Sequence, residues 1–127
     1  MTGRDLIALL VEDEPLTAML AGGILRDLGY VVLEARTKGA ADKLLMEEGG
    51  FTLLCTDVEL ADGSSGVELA FEVAETRPDV LIVVTSGSQR PPRLPNGAQF
   101  MPKPYTDLHL RDAVATASRQ RQTTKSR

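Results

Sequence analysis

The 127-residue sequence predicts an α/β domain of the open, doubly wound kind, built on five parallel strands. Three observations predict it. Apolar runs of strand length recur at 6–11, 30–35, 51–56, 80–85 and 98–101, and the strongest are continuous rather than alternating, as in strands covered on both faces. Between them lie stretches with helical spacing, joined by short polar connections. Finally, Glu12 and Asp13 follow the first run, Asp57 the third and Lys103 the fifth. A parallel sheet gathers such strand ends at one edge, where sites form.

The elements follow in order. Leu6 to Val11 is the first strand. Pro15 then suits the first turn of a helix, where its missing N–H is no loss. That helix carries Leu16, Leu20, Ile24 and Leu28 on one stripe with Met19 beside it, and Gly29 stops it. Tyr30 to Ala35 is the second strand. Thr37 caps a second helix whose inner face is Ala40, Ala41, Leu44 and Leu45, ended by Gly49 and Gly50. After the third strand, Phe51 to Thr56, Ser65 and Glu68 have capping-box spacing. Val67, Ala70, Phe71 and Ala74 then mark the inner face of a third helix that ends before Pro78. Val80 to Thr85 is the fourth strand and Ala98 to Met101 a short fifth. Thr106 or Asp107 opens a last helix with Leu110, Ala113, Val114 and Ala117 inward.

One segment breaks the alternation. Ser88 to Gly97 contains Pro91, Pro92 and Pro95, and each proline removes a donor and pushes its predecessor out of helical geometry. The expected connection between strands four and five is extended or a single turn. The full expectation is a flavodoxin-like sheet, strand order 2-1-3-4-5, with the fourth helix shortened or absent.

Hydrophobic residues make up 43% and charged residues 25%, the composition of a globular domain that is neither disordered nor membrane-embedded. No run approaches the roughly 18 apolar residues of a bilayer span, so the expected setting is the cytoplasm, with no membrane partner. A net charge of -4 argues against nucleic acid as a partner. Residues 1–119 form the expected domain. Residues 120–127 lack apolar side chains and read as a disordered basic tail. Cys55, inside an apolar run, reads as a packing residue, and His109 as a surface residue.

The strand-end residues carry the chemistry. Magnesium takes oxygen ligands, commonly one or two carboxylates plus water and phosphate oxygens. Asp13 and Asp57 suit that role, and Glu12 reaches the ion through water or fixes Asp13. Each residue alone has a plainer reading: Glu12 and Asp13 as favourable charge at a helix N-terminus, Asp57 as a loop cap, Lys103 as a solvated cation, Ser86 as a strand-end hydroxyl bonded to local backbone. Together they are harder to explain that way, because converging carboxylates repel unless a cation sits among them. Lys103, held between Pro102 and Pro104, can aim its ammonium at the edge, and Lys103–Pro104 is a candidate cis peptide. Ser86 and the adjacent Gly87 N–H lie where an anion on Asp57 would be met. Phosphoryl transfer needs placement and charge neutralisation, and Asp57 would be its nucleophile.

Glu12-Asp13, Asp57, Ser86-Gly87 and Lys103-Pro104-Tyr105, in that order over five strands, resemble the receiver domain of two-component response regulators. The likeness covers about Leu6 to Ala117, with Val11-Glu12-Asp13-Glu14-Pro15, Thr56-Asp57-Val58-Glu59-Leu60 and the helix start at Ser65-Gly66 also resembling family motifs. The resemblance implies a phosphoryl group accepted on Asp57 from a histidine kinase or histidine phosphotransfer protein. It implies Mg2+ on Asp13, Asp57 and the main-chain carbonyl of Glu59, assisted by Glu12. Lys103 and Ser86 would bind phosphoryl oxygens, Ser86 and Phe100 would act as switch residues, and Glu59 and Ser88 would tune phosphoryl lifetime. Phe100 also reads as core packing. The proline-rich segment departs from the family, which normally has a fourth helix there.

The implied activity is a single-domain switch of protein interactions or a phosphorelay shuttle, with self-catalysed phosphoryl transfer and autodephosphorylation but no enzymatic turnover, and with a downstream protein the sequence does not name. Competing readings are a phosphorylation-independent interaction scaffold, a Mg2+-dependent phosphatase working through an aspartyl phosphate, and a flavin-binding domain. The phosphatase would want a cap no segment is free to form. The flavin domain would want a phosphate-binding loop after the first strand, which is missing.

Overall fold

The computed structural model describes residues 6–125. Its strands are β1 (Leu6–Val11), β2 (Tyr30–Ala35), β3 (Leu53–Asp57), β4 (Leu81–Ser86) and β5 (Gln99–Pro102). Its helices are α1 (Pro15–Asp27), α2 (Lys38–Glu47), α3 (Gly66–Thr76) and α4 (Asp107–Lys125). The strands pair in parallel in the order β2-β1-β3-β4-β5, as expected. The order reverses beside β1, with β2 on one side and β3 on the other, so β1 and β3 open a crevice at their carboxyl ends.

Two core clusters cover the two faces of the sheet. One joins Ala8, Leu10, Cys55, Val83 and Met101 to Ala21, Ile24 and Leu25 of α1 and Leu110 and Val114 of α4. The other joins Leu9, Leu54, Ile82 and Val84 to Ala41 of α2 and Leu69, Ala70 and Val73 of α3. Caps act where the sequence places them: Thr37 Oγ1 accepts from Ala40 N at 3.1 Å and Ser65 Oγ from Glu68 N at 3.2 Å. Gly29, at φ +102°, turns the chain out of α1. Between β4 and β5 there is no helix, in line with the three prolines.

Several expectations need correction. Strands three to five begin and end one or two residues later than the apolar runs, because ladder pairing rather than hydrophobicity sets their ends. On α1 the buried face is Ala18, Ala21, Gly22, Ile24 and Leu25, whereas Leu16, Met19 and Leu20 are exposed. Small residues let the helix lie close to the sheet, and the larger ones point outward. Ala40 on α2 is exposed. On α3 the inner face turns to Leu69, Ala70 and Val73. Val67, Phe71 and Ala74 remain half-buried, since no helix follows β4 to cover them. Phe71 and Ala74 instead line an open groove of about 1150 Å³ shared with Leu94, Pro95 and Ala117. At the C-terminus, helical backbone continues to Lys125, where a tail was expected from Gln120; the last two residues lie outside the described range.

Candidate functional site

Parallel register decides which side chains meet at the carboxyl edge. Val11 pairs with Thr56, and Asp57 with Thr85, so Glu12, one residue past the end of β1, lies level with Asp57. Both are buried, Glu12 at 5% and Asp57 at 7% exposure, and Asp13 is half-buried. One carboxylate oxygen from each of Glu12, Asp13 and Asp57 comes within 4.8 Å of the other two.

Lys103 completes the cluster. Its Nζ donates to Glu12 Oε1 at 2.9 Å and to Asp57 Oδ2 at 3.0 Å. Burial works to lower the pKa of this ammonium, but its hydrogen bonds and the charges of Glu12 and Asp57 outweigh that, and the net shift is upward. The backbone holds Lys103 in place through its N–H, which donates to Ser86 O at 2.8 Å; the Lys103–Pro104 peptide bond is cis, as the sequence suggested. One ammonium is bonded to two of the three carboxylates, which leaves the cluster negative, and an all-oxygen donor set of that charge fits Mg2+.

The remaining sequence-predicted residues surround this core. Ser86 is buried, and its Oγ accepts from Ser88 N at 2.9 Å. Ser88 Oγ donates to Glu59 Oε2 at 3.4 Å, linking the two positions beside the site. Glu59 lies in an isolated antiparallel bridge with Ser65. The bonds flanking it, Gly66 N to Val58 O at 2.8 Å and Leu60 N to Ser64 O at 3.2 Å, do not use the carbonyl of Glu59. Phe100 is half-buried against the α2–α3 side of the core, and the Arg90 guanidinium lies 5.8 Å from its ring centroid. Cys55 is fully buried beneath the cluster, and burial pushes its thiol up to about 12.

Two residues with no role in the sequence reading matter here. Gly66 opens α3 against the end of β3, and a Cβ built on it would stand 1.8 Å from Asp57 O and 2.7 Å from Thr56 Oγ1. Only glycine permits this approach. Its position at a helix start is legible in sequence, but the neighbour it must clear is not. Thr85, level with Asp57 on β4, keeps a buried hydroxyl with no hydrogen-bond partner; nothing in the residue order signals that.

Comparisons with known proteins agree with the geometry. The family model described as the response regulator receiver domain matches residues 8–115. The chain is 32% identical over 124 residues to the phyllosphere-induced regulator PhyR of Methylorubrum extorquens, an alignment covering 91% of this chain and 46% of that protein. The chain thus spans about half the length of that curated relative. The solution structure of the receiver domain of PhyR from Erythrobacter litoralis is similar at a TM-score of 0.75 and 26% identity, covering 89% of each chain. The crystal structure of PhyR from Brucella abortus matches at 0.80 and 25%, covering 94% of this chain and 50% of that one.

Proposed function

The chain belongs to the response regulator receiver domain family of two-component signalling, and on that premise we propose that it is a phosphoacceptor switch charged at Asp57 by a histidine kinase or histidine phosphotransfer protein. The observation that carries this reading is the pair of hydrogen bonds that the Lys103 ammonium donates to Glu12 and Asp57 inside a cluster of three carboxylates. An anion attached to Asp57 arrives within reach of a cation already held there.

In the proposed reaction a carboxylate oxygen of Asp57 forms a bond to phosphorus as the donor's N–P bond breaks, and the released imidazole takes up a proton from solvent. Glu12, Asp13 and Asp57, with the main-chain carbonyl of Glu59, would hold Mg2+, which supplies neutralising charge for the phosphoryl oxygens. Lys103 binds one of those oxygens and Ser86 another. Ser86 would donate its hydroxyl proton to that oxygen, and a shift of its Oγ towards the phosphoryl group would pull on the Ser88 N–H it accepts from, at the root of the proline segment. Phe100 turning inward would in turn leave the Arg90 guanidinium. The Glu59–Ser88 bond joins the positions two residues after Asp57 and Ser86, which suits control of phosphoryl lifetime.

The exposed α1 residues Leu16 and Met19, at 72% and 69% exposure, start one turn from Asp13 and suit docking of a helical phosphodonor. No helix among the described residues is long and apolar enough to cross a membrane.

Incubation with acetyl phosphate and Mg2+, followed by intact mass, tests the proposal. Wild type should gain one phosphoryl group and Asp57→Asn none. No uptake by wild type would leave an interaction scaffold independent of phosphorylation, and steady turnover of a phosphate ester would point to the phosphatase reading.

A further inference from the structure

Among the described residues, Thr85 Oγ1 is the buried side-chain polar atom that finds no hydrogen-bond partner, in a residue 2% exposed. Buried hydroxyls are normally satisfied, because water is lost and nothing replaces it otherwise. Thr56, equally deep one strand away, shows the usual solution: its hydroxyl donates to Asp57 O at 2.9 Å.

The location of the orphan is specific. Thr85 pairs with Asp57 on one side and with Met101 on the other. Residues in register on neighbouring parallel strands put their side chains on the same face. Cys55 and Val83, two residues before Asp57 and Thr85, share a core cluster with Met101. Lys103 follows β5, yet its ammonium bonds Asp57 on β3 and Glu12 beyond β1. Since β4 lies between β3 and β5, the lysine chain must cross the end of β4, where Thr85 stands.

We infer that Thr85 is a positioning residue whose hydroxyl is reserved for the phosphorylated state, in which it accepts a hydrogen bond from the Lys103 ammonium. The inference rests on Asp57 as phosphoacceptor. In the resting state two of the three ammonium protons go to Glu12 and Asp57. Once Asp57 carries a phosphoryl group, its carboxylate has become the uncharged carbonyl of an acyl phosphate, a weaker partner, and the ammonium turns towards the phosphoryl oxygens. Thr85, on the strand that the lysine chain crosses, then offers its unpaired hydroxyl to a remaining ammonium proton and fixes the lysine in its new direction.

The test compares Thr85→Val, which keeps the shape and removes the hydroxyl, with Thr85→Ser, which keeps the hydroxyl. Two quantities are read: thermal stability of the resting protein, and affinity for beryllofluoride with Mg2+. The valine variant should be at least as stable as wild type at rest, because it loses an unpaired group, yet bind beryllofluoride roughly tenfold more weakly, the effect of one hydrogen bond to a charged group. The serine variant should restore the affinity. Two results overturn the inference: wild-type affinity in Thr85→Val, or a valine variant that is less stable at rest, which would mean the hydroxyl is already satisfied. If wild type itself takes up no beryllofluoride, the phosphoacceptor reading fails and the role of Thr85 fails with it.

Discussion

Gly66→Ala should damage both the fold and the site, by an amount the structure allows to be worked out. The new methyl carbon would stand 1.8 Å from Asp57 O and 2.9 Å from Asp57 C, and reaching van der Waals contact needs roughly 1.5 Å more separation. The obstacle is backbone at the end of a central strand, so no rotamer change relieves it. Overpacking of this kind costs about 1–3 kcal/mol, here at the upper end. Moving the start of α3 also weakens the Gly66 N to Val58 O bond and the Ser65 cap, the cap alone being worth about 1 kcal/mol. A total of roughly 3–4 kcal/mol corresponds to a fall in Tm of roughly 10–15 °C for a domain of this size. If the strain is relieved by displacing Asp57, a shift of about 1 Å slows phosphorylation roughly 100-fold. The assay is a thermal melt paired with the acetyl phosphate rate. Gly23→Ala serves as control: its Cβ would meet nothing within 4 Å, and alanine should stabilise α1 by about 1 kcal/mol. A Gly66→Ala protein that melts with wild type and phosphorylates at the wild-type rate would refute the close-approach argument.

Lys103→Met should cost about 3–5 kcal/mol without Mg2+, since the Glu12 and Asp57 side chains, 2% and 9% exposed, lose their shared cation. Millimolar Mg2+ should narrow the gap in Tm, and no Mg2+ response in either protein would argue against a cation site. Stability should also fall in alkali. The Cys55 thiol, raised by burial from 9.0 to about 12, favours the fold fully below pH 9.0 and loses that contribution as pH rises towards 12, at about 1.4 kcal/mol per pH unit. Burial also raises the Tyr105 phenol above 10.0, adding to the loss from there. Cys55→Val should flatten the limb above pH 9, and an unchanged limb would assign the loss elsewhere. Paired Leu16→Ser and Met19→Ser changes, at exposed positions, should leave stability within about 0.5 kcal/mol. They should slow phosphotransfer from the protein donor but not from acetyl phosphate; equal slowing from both would remove α1 from docking.

Residue order alone determined the sheet, the absence of a helix after β4, and the set Glu12, Asp13, Asp57 and Lys103. These are local or end-of-strand properties: apolar runs of strand length read as strands, three prolines disallow a helix, and a parallel sheet brings strand ends together whatever the rest of the packing. The facing of the helices was decided only in three dimensions. Large apolar residues cover more than one side of α1, so periodicity announces a helix without saying whether Leu16 or Ala18 turns inward, and the close fit of small residues against the sheet settles it. On α3, Phe71 and Ala74 follow an inward spacing but stay half-open, because covering them depends on a helix elsewhere in the chain that does not form. The demand for glycine at position 66 and the unpaired hydroxyl of Thr85 belong to the same kind. Each depends on what a neighbouring strand puts a few ångströms away, and distances between segments remote in sequence exist only once the sheet has assembled.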